Sequence, residues 1–416
     1  MKVCLLFFVL ILFVSCSKRN RDNPFDSTGD QPVNLYGHSL NKSVQLSWDL
    51  PNLVDYTGFN LYREEQDVDE TFTRVAELAP TATSYTDLTV EFGFTYNYFI
   101  KVAAGNLESR SSNEISVTPG PGYNWIIDET SYKVVKTSYD LSYTLLVYDT
   151  YPDRPTDMAV SSHLNTGVIL FTRSGLIQEI NLSGNLNMQH REIQYPYAIA
   201  YDPVSTLFWI ADSSGVLYTL DTGNHSIIPI YSSLSKPISL NIAAQQNIIS
   251  IVDISEKEIV QFNRAGYLID KISLINGKSL QGPTHFIFDE NHNRIWLVDG
   301  NSNFDYIYTK LSEDENYFLA DSVLNCGDID ISLSSDLAWY VSLNSNRSSV
   351  LQLSPDGTRL FELTYFYNPF DLQVNPYDGS LLVVDSWSGR VLHYDNSNRI
   401  IGIMKNLIFP VKVVVQ

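Results

Sequence analysis

The sequence predicts an all-β chain, a β-sandwich followed by a β-propeller, and three observations carry that expectation. From about residue 123 onward, a motif that opens on proline and alternates apolar residues recurs every 41 to 46 residues. Between residues 32 and 119 the rhythm is different, with a short alternating run about every 10 residues. No long stretch keeps the period of an amphipathic helix.

The repeat is clearest in Pro369 to Asp395, PFDLQVNPYDGSLLVVDSWSGRVLHYD. Its copies open at Pro155, Pro196, Pro237, Pro283, Asp328, Pro369 and Pro410, which gives spacings of 41, 41, 46, 45, 41 and 41 residues. After each opening strand a second apolar run follows, ending at Asp212, Asp253, Asp299 and Asp385 in four of the copies. A third and a fourth run come after polar turns. Four short strands in a unit of about 40 residues is the pattern of a propeller blade. The repeat region begins on a second strand, Asn124 to Asp128, and stops on a first strand, Val411 to Val415. The last strand is therefore expected to complete the blade begun at Asn124 to Thr150, which removes two open sheet edges. Six full copies and one shared blade make seven, with six as the alternative count.

With Pro369, the turn glycine Gly379, the run ending at Asp385, the triplet Gly389-Arg390-Val391 and Asp395 in place, this copy resembles the NHL repeat. The resemblance extends unevenly over roughly 290 residues. It implies a propeller over 120–416 and says little about activity, because one fold hosts many functions.

The first 16 residues hold one lysine, an apolar core VCLLFFVLILFV and then Ser15-Cys16, which reads as a secretory signal too short for an ordinary membrane span. Phe13-Val14-Ser15-Cys16 resembles the lipobox of bacterial lipoproteins. The resemblance implies lipidation at Cys16 and a location in the bacterial cell envelope, lipid-anchored on the periplasmic or cell-surface side. Residues 17–31 are polar, with Pro24 and Gly29, and form a tether. Lys18, Arg19 and Arg21 within it suit anionic headgroups. The other cysteines are Cys4, inside the signal, and Cys326, so the mature chain is expected to have no internal disulfide.

From Pro32 to Pro119 seven short strand-like runs follow one another, the signature of a β-sandwich. Trp48, Tyr62 and the run Tyr96 to Val102 make this segment similar to a fibronectin type III domain, in which Tyr96 would be the corner tyrosine. The turn-rich PGPGY at 119–123 joins the two parts.

A net charge of −20 argues against a nucleic-acid partner, since phosphates would repel the chain. There is no phosphate-binding loop, no nucleophile elbow and no paired-cysteine metal site. If each opening residue starts a channel-lining strand, the second residue after it should form a ring at one mouth. That ring reads Asp157, Ala198, Ser239, His285, Asp330, Asp371 and Lys412. Asp157, His285, Asp330 and Asp371 together make a tentative ligand site, with Ca²⁺ as the candidate cation. A solvated pore wall is the competing reading, and no cofactor is required by it.

The aspartates ending second strands, Asp128, Asp212, Asp253, Asp299 and Asp385, point to a shared structural task, accepting hydrogen bonds from the adjoining turns. Trp125, Trp209, Trp296 and Trp339 recur at one place and suit packing between blades. Trp387 stands in a turn and is the candidate for a carbohydrate or peptide contact. Two function classes follow: an envelope-anchored scaffold that binds a protein or glycan through its propeller, or a metal-dependent lactonase- or lyase-like enzyme of the kind some propellers are.

Overall fold

The structure is a computed structural model that describes residues 25, 33–53, 55–66, 68–69, 71–344 and 348–416. The expected lipid site Cys16 and nearly all of the 17–31 tether lie outside the described residues. Every regular element among the described residues is a strand, apart from one 3-10 turn at Ser386–Ser388. The chain divides into two compact units. One takes Leu46–Tyr85, Tyr96–Ser116 and the described residues up to Tyr36; the other takes Gly37–Gln45, Thr86–Thr95 and Val117–Gln416.

Strands before residue 118 form two sheets. Leu35–Leu40, Ser43–Trp48 and Ser84–Asp87 make one, and the other is built on the long antiparallel pair Gly58–Glu65 and Tyr96–Ala104. Trp48 is buried and lies with its ring 5.5 Å from that of Phe59. Asn113 fixes the first strand by accepting from Leu35 N at 2.8 Å and donating to Leu35 O at 2.9 Å.

The rest of the chain is propeller-like. Seven four-stranded antiparallel sheets follow one another, and six of them are consecutive in sequence. Their first strands are Asp157–Ser161, Pro196–Asp202, Pro237–Ala243, Pro283–Asp289, Cys326–Ser332 and Pro369–Val374, which define the first to sixth sheets. The seventh takes its first strand from the C-terminus: Pro410–Val415 pairs antiparallel with Tyr123–Asp128. Neighbouring first strands lie against one another in order, and Pro410–Val415 touches both Pro369–Val374 and Asp157–Ser161. The first strands thus close into a ring.

Burial explains why the strands read as they do. Second strands such as Leu381–Asp385 are buried along their whole length, because a sheet covers each face, and they are continuous apolar runs. Fourth strands are outermost and exposed, as in Leu268–Ile272, and they carry Asp270 and Lys271, charges that discourage edge-to-edge pairing. The repeated tryptophans fill the seams. Trp125 packs with Met158 and Ile169, Trp209 with Ile249 and Ile251, Trp296 with Ile329 and Ile331, and Trp339 with Leu372 and Val374. Each therefore reaches from its own sheet into the next.

The aspartates ending second strands act mainly on a different partner from the one expected. Their carboxylates accept from the two N–H groups that precede the first strand of the same sheet. Asp128 accepts from Ile408 N at 2.9 Å and Phe409 N at 2.7 Å, and Asp299 accepts from Gln281 N and Gly282 N, both at 2.8 Å. Asp253 and Asp385 do the same with Ser235 and Lys236, and with Tyr367 and Asn368. Asp212 divides its oxygens, taking Tyr195 N and the turn residue Ser214 N. The N–H before a proline-led strand has no ladder partner of its own, and a buried donor left unpaired is costly.

One register differs from the expectation. Each first strand sets its opening proline opposite the end of the second strand, as in Pro283 with Asp299 and Pro369 with Asp385. In the fifth sheet it is Cys326 that stands opposite Ser342. Cys326, not Asp328, thus takes the proline's place, and the spacings on either side become 43 and 43 residues. The ring residue of that sheet is consequently Asp328, and Asp330 lies one level deeper on the same strand face.

Candidate functional site at the ring mouth

At the corrected register the mouth of the ring carries Asp157, Ala198, Ser239, His285, Asp328, Asp371 and Lys412. The carboxylates staple adjacent sheets. Asp157 Oδ2 accepts from Ile199 N at 3.1 Å, Asp328 Oδ2 from Leu372 N at 2.9 Å and Asp371 Oδ2 from Val413 N at 2.9 Å. In each case the donor belongs to the next first strand. The remaining oxygens are also engaged: Asp157 Oδ1 by Met158 N at 2.9 Å, Asp328 Oδ1 by Ile329 N at 2.9 Å and Asp371 Oδ1 by Lys412 Nζ at 2.8 Å. His285 Nε2 lies 3.4 Å from Asp328 Oδ1.

Three carboxylates close together in a partly dehydrated channel perturb one another. Burial pushes the Asp371 carboxyl up to about 7, with Lys412 opposing and Asp328 reinforcing the shift. Asp157 is raised for the same first reason, burial, with Lys412 again opposing it. Burial would raise Asp328 as well, but the His285 hydrogen bond and the charges of His285 and Lys412 outweigh it and hold the carboxyl below its usual range. Burial would lower the Lys412 ammonium, yet Asp371, Asp157 and Asp328 keep it above the ordinary lysine range. Lys412 is thus the resident cation of the mouth, standing where the sequence suggested a metal.

Asp330, expected in the ring, accepts instead from Ile331 N, Val374 N and Gln373 Nε2, each at 2.8 Å. Burial pushes its carboxyl up to about 7. Of the four residues expected to converge, Asp157, His285 and Asp371 share one register level. Asp328 takes the fourth place. The sequence signal that would have found it is the evenness of spacing gained by opening the copy at Cys326. That thiol is buried, and burial raises its pKa well above the usual value, so it is held protonated.

Among the described residues, one group of three metal-capable side chains brings ligand atoms within 4.8 Å of one another: Asp289, His292 and Asp336. It includes no mouth residue. Its members already have partners, His292 Nδ1 at 2.8 Å from Asp289 Oδ2 and Arg294 Nε donating to Asp336 Oδ1 at 2.7 Å. A serine–histidine contact also occurs, with His393 Nε2 at 2.8 Å from Ser380 Oγ. Both residues are buried, and His393 Nδ1 lies 2.7 Å from Tyr139 O, so the pair joins the sixth sheet to the seventh and has no route to a substrate. Burial drives the His393 imidazole down to about 4, which keeps it neutral at ordinary pH.

Trp387 is 72% exposed, in the 3-10 turn that follows Asp385. The turn is built tightly. Gly389 closes it at φ 59°, and a Cβ there would fall 2.2 Å from Leu407 O, so glycine is required. Asp385 holds the same end of the sheet together, accepting from Tyr367 N and Asn368 N while pairing with Arg390 Nη2 at 2.9 Å. Arg390 Nη2 also donates to Tyr365 O at 2.7 Å. Trp387, Tyr367 and Phe370, near the start of the sixth sheet, and Tyr365, on the last strand of the fifth, are all exposed, and the backbone of Tyr365 and Tyr367 is tied to this end by Arg390 and Asp385.

No family model matches the chain, and no curated protein matches it. Solved structures do resemble it. A functionally unknown protein of Desulfotomaculum acetoxidans aligns with a TM-score of 0.55 at 14% identity, over 71% of this chain and 98% of its own. A Bacteroides fragilis protein assigned provisionally as a 6-phosphogluconolactonase gives 0.55 at 12%, over 70% and 97%. Hydrazine synthase of Kuenenia stuttgartiensis gives 0.52 at 9%, over 74% and 93%. At such identities the likeness is one of fold: this chain shares the propeller-like architecture of these proteins.

Proposed function

We propose that the chain is a lipid-anchored binding protein of the bacterial cell envelope. Cys16 carries the lipid, residues 32–119 form a fibronectin type III-type spacer, and residues 120–416 form a seven-bladed NHL-like propeller that engages a protein or glycan. The observation that supports binding is the set of exposed aromatics where the fifth sheet leads into the sixth, Tyr365, Tyr367, Phe370 and Trp387. Soluble surfaces rarely gather such residues without a partner. Aromatic rings also give large contact area at low entropic cost, which suits glycans and peptides alike.

The metal-dependent lactonase- or lyase-like alternative has no observation in its favour. The mouth carboxylates are engaged by N–H donors and by Lys412, and none of them contacts an accessible nucleophile. The test uses the detergent-solubilised full chain on an array of glycans and on immobilised envelope polysaccharide, alongside Trp387→Ala. Saturable binding that drops about ten-fold or more in the variant supports the reading. Binding untouched by Trp387→Ala, or lactone hydrolysis that depends on added Ca²⁺, overturns it.

A further inference from the structure

Inside the ring, a cavity of about 260 Å³ lies between the first strands of the third to sixth sheets. It is distinct from the mouth. Its lining includes Gln245, Glu290 and Asn291, which follow the ends of their first strands, whereas Asp371 and Lys412 stand near the beginnings of theirs. No lysine, arginine or histidine lines it.

Its polar groups divide into those already satisfied and those that are not. The carboxyls are mostly taken. Asp330 accepts from Ile331 N, Val374 N and Gln373 Nε2, and Glu290 Oε2 accepts from Gln245 N at 3.0 Å, which leaves Glu290 Oε1 open. Three of the four lining amides are half used. Asn241 Oδ1 accepts from Phe288 N at 3.2 Å and leaves Nδ2 without a partner among the described residues. Gln373 Nε2 donates to Asp330 and leaves Oε1, while Asn291 Nδ2 donates to Leu333 O at 2.8 Å and leaves Oδ1. With the amide of Gln245, which has no side-chain partner among the described residues, two neutral amide donors and three neutral amide acceptors line a space whose other wall is apolar, with Ile242, Ile287 and Phe288.

Such a lining selects by chemistry. Phosphate or carboxylate groups would find no cation. An amine would find one open carboxyl oxygen, Glu290 Oε1, the other carboxyl oxygens being already bonded. Hydroxyl groups can both donate and accept, and they match half-used amides, while the apolar wall suits the C–H face of a ring. The volume lies just under the usual range for drug-sized ligands, roughly 300 to 1,000 Å³, and so fits one small ring. We propose that this cavity binds a neutral polyhydroxylated molecule no larger than a single hexose. The inference is independent of the aromatic group around Trp387, and the two can fail separately.

The experiment titrates the full chain with D-glucose and myo-inositol, and in parallel with D-glucose 6-phosphate and ethanolamine, by saturation-transfer NMR and melting temperature. Saturable binding of a neutral polyol is expected, about ten-fold or more tighter than either charged probe. Ile287→Trp, which fills the cavity, should abolish it, and Trp387→Ala should leave it intact. Should Ile287→Trp not fold, Gln373→Met removes one free acceptor at similar volume and should weaken binding about ten-fold. Failure of both neutral probes, equal binding of a charged one, or binding that survives the cavity variants overturns the proposal.

Discussion

Replacing Lys412 by methionine tests the electrostatic account of the mouth most directly. The ammonium lies 2.8 Å from Asp371 Oδ1 and acts also on Asp157 and Asp328. At that distance Coulomb's law gives roughly 6 kcal/mol with an effective dielectric near 20, before desolvation is subtracted. Removing one member of a buried pair costs about 3–5 kcal/mol, because the other charge is left alone. The Lys412 side chain keeps 32% of its exposure, so water screens part of the effect and about 2–3 kcal/mol is expected. For a unit of this size that is a fall of about 3–5 °C in melting temperature.

The pH dependence separates this explanation from simple loss of packing. Asp371 is raised to about 7 in the folded chain, above its unfolded value, so its contribution to stability is full at low pH and is lost as pH rises through about 7. Without Lys412 the carboxylate is harder still to form. Lys412→Met should therefore cost more at pH 8 than at pH 5, where Asp371 stays protonated and only the ionised Asp328 still draws on the ammonium. Adding Asp371→Asn to the variant should restore most of the loss at pH 8. Urea denaturation at the two pH values reads all of this. Equal losses at pH 5 and pH 8, or a variant within about 1 °C of the parent at pH 8, would refute the reasoning.

Three further outcomes are expected. His393 has a folded pKa near 4, below its unfolded value, so its contribution is present above about 6.5 and lost as pH falls toward 4, by up to about 3 kcal/mol; a urea midpoint that is flat from pH 7 to 5, or unchanged in its slope by His393→Gln, would contradict this. Deleting Val411–Gln416 strips the strand that pairs with Tyr123–Asp128 and loses the buried Val411 and Val413, each worth about 1.5 kcal/mol or more, so an unchanged melting temperature would count against ring closure. Cys16→Ala should move the protein out of the detergent phase, and a variant that stays membrane-bound and full length would remove the lipid anchor from the proposal.

The ring was legible in the sequence because its physics is periodic. Strands covered on both faces must be apolar throughout, and tryptophans that fill successive seams must recur at one place, so Trp125, Trp209, Trp296 and Trp339 were readable as packing. The slip in the fifth sheet was not readable in the same way. A displacement of two residues keeps every side chain on its own face of a strand, so alternation cannot distinguish an opening at Cys326 from one at Asp328. The evenness of spacing points to Cys326, and the pairing of Cys326 with Ser342 settles it. The second-strand aspartates read as structural, but their main donors lie 17 or 18 residues away, as from Asp299 to Gln281 and Gly282, or 280 and 281 away for Asp128, beyond local turn logic. The cavity joins residues from Asn241 to Pro376 across four sheets, and no local pattern announces it.

The same strand geometry decides which polar groups remain available for a ligand. Asp157, Asp328 and Asp371 each donate nothing and accept an N–H from the next first strand, at Ile199, Leu372 and Val413. A carboxylate placed this way bridges two sheets in the ring where the strands converge, and removing it would leave a buried N–H unpaired. That structural demand explains why acidic residues recur at the mouth, and the lysine among them limits their mutual repulsion. Under the proposed binding function, recognition would fall to groups that the ring does not use, the neutral amides where the first strands end and the aromatic rings where the fifth sheet leads into the sixth. The expected signature is therefore selectivity for uncharged, ring-bearing ligands that persists when Ca²⁺ is chelated, and a chelator that abolished binding would restore the metal to the mouth.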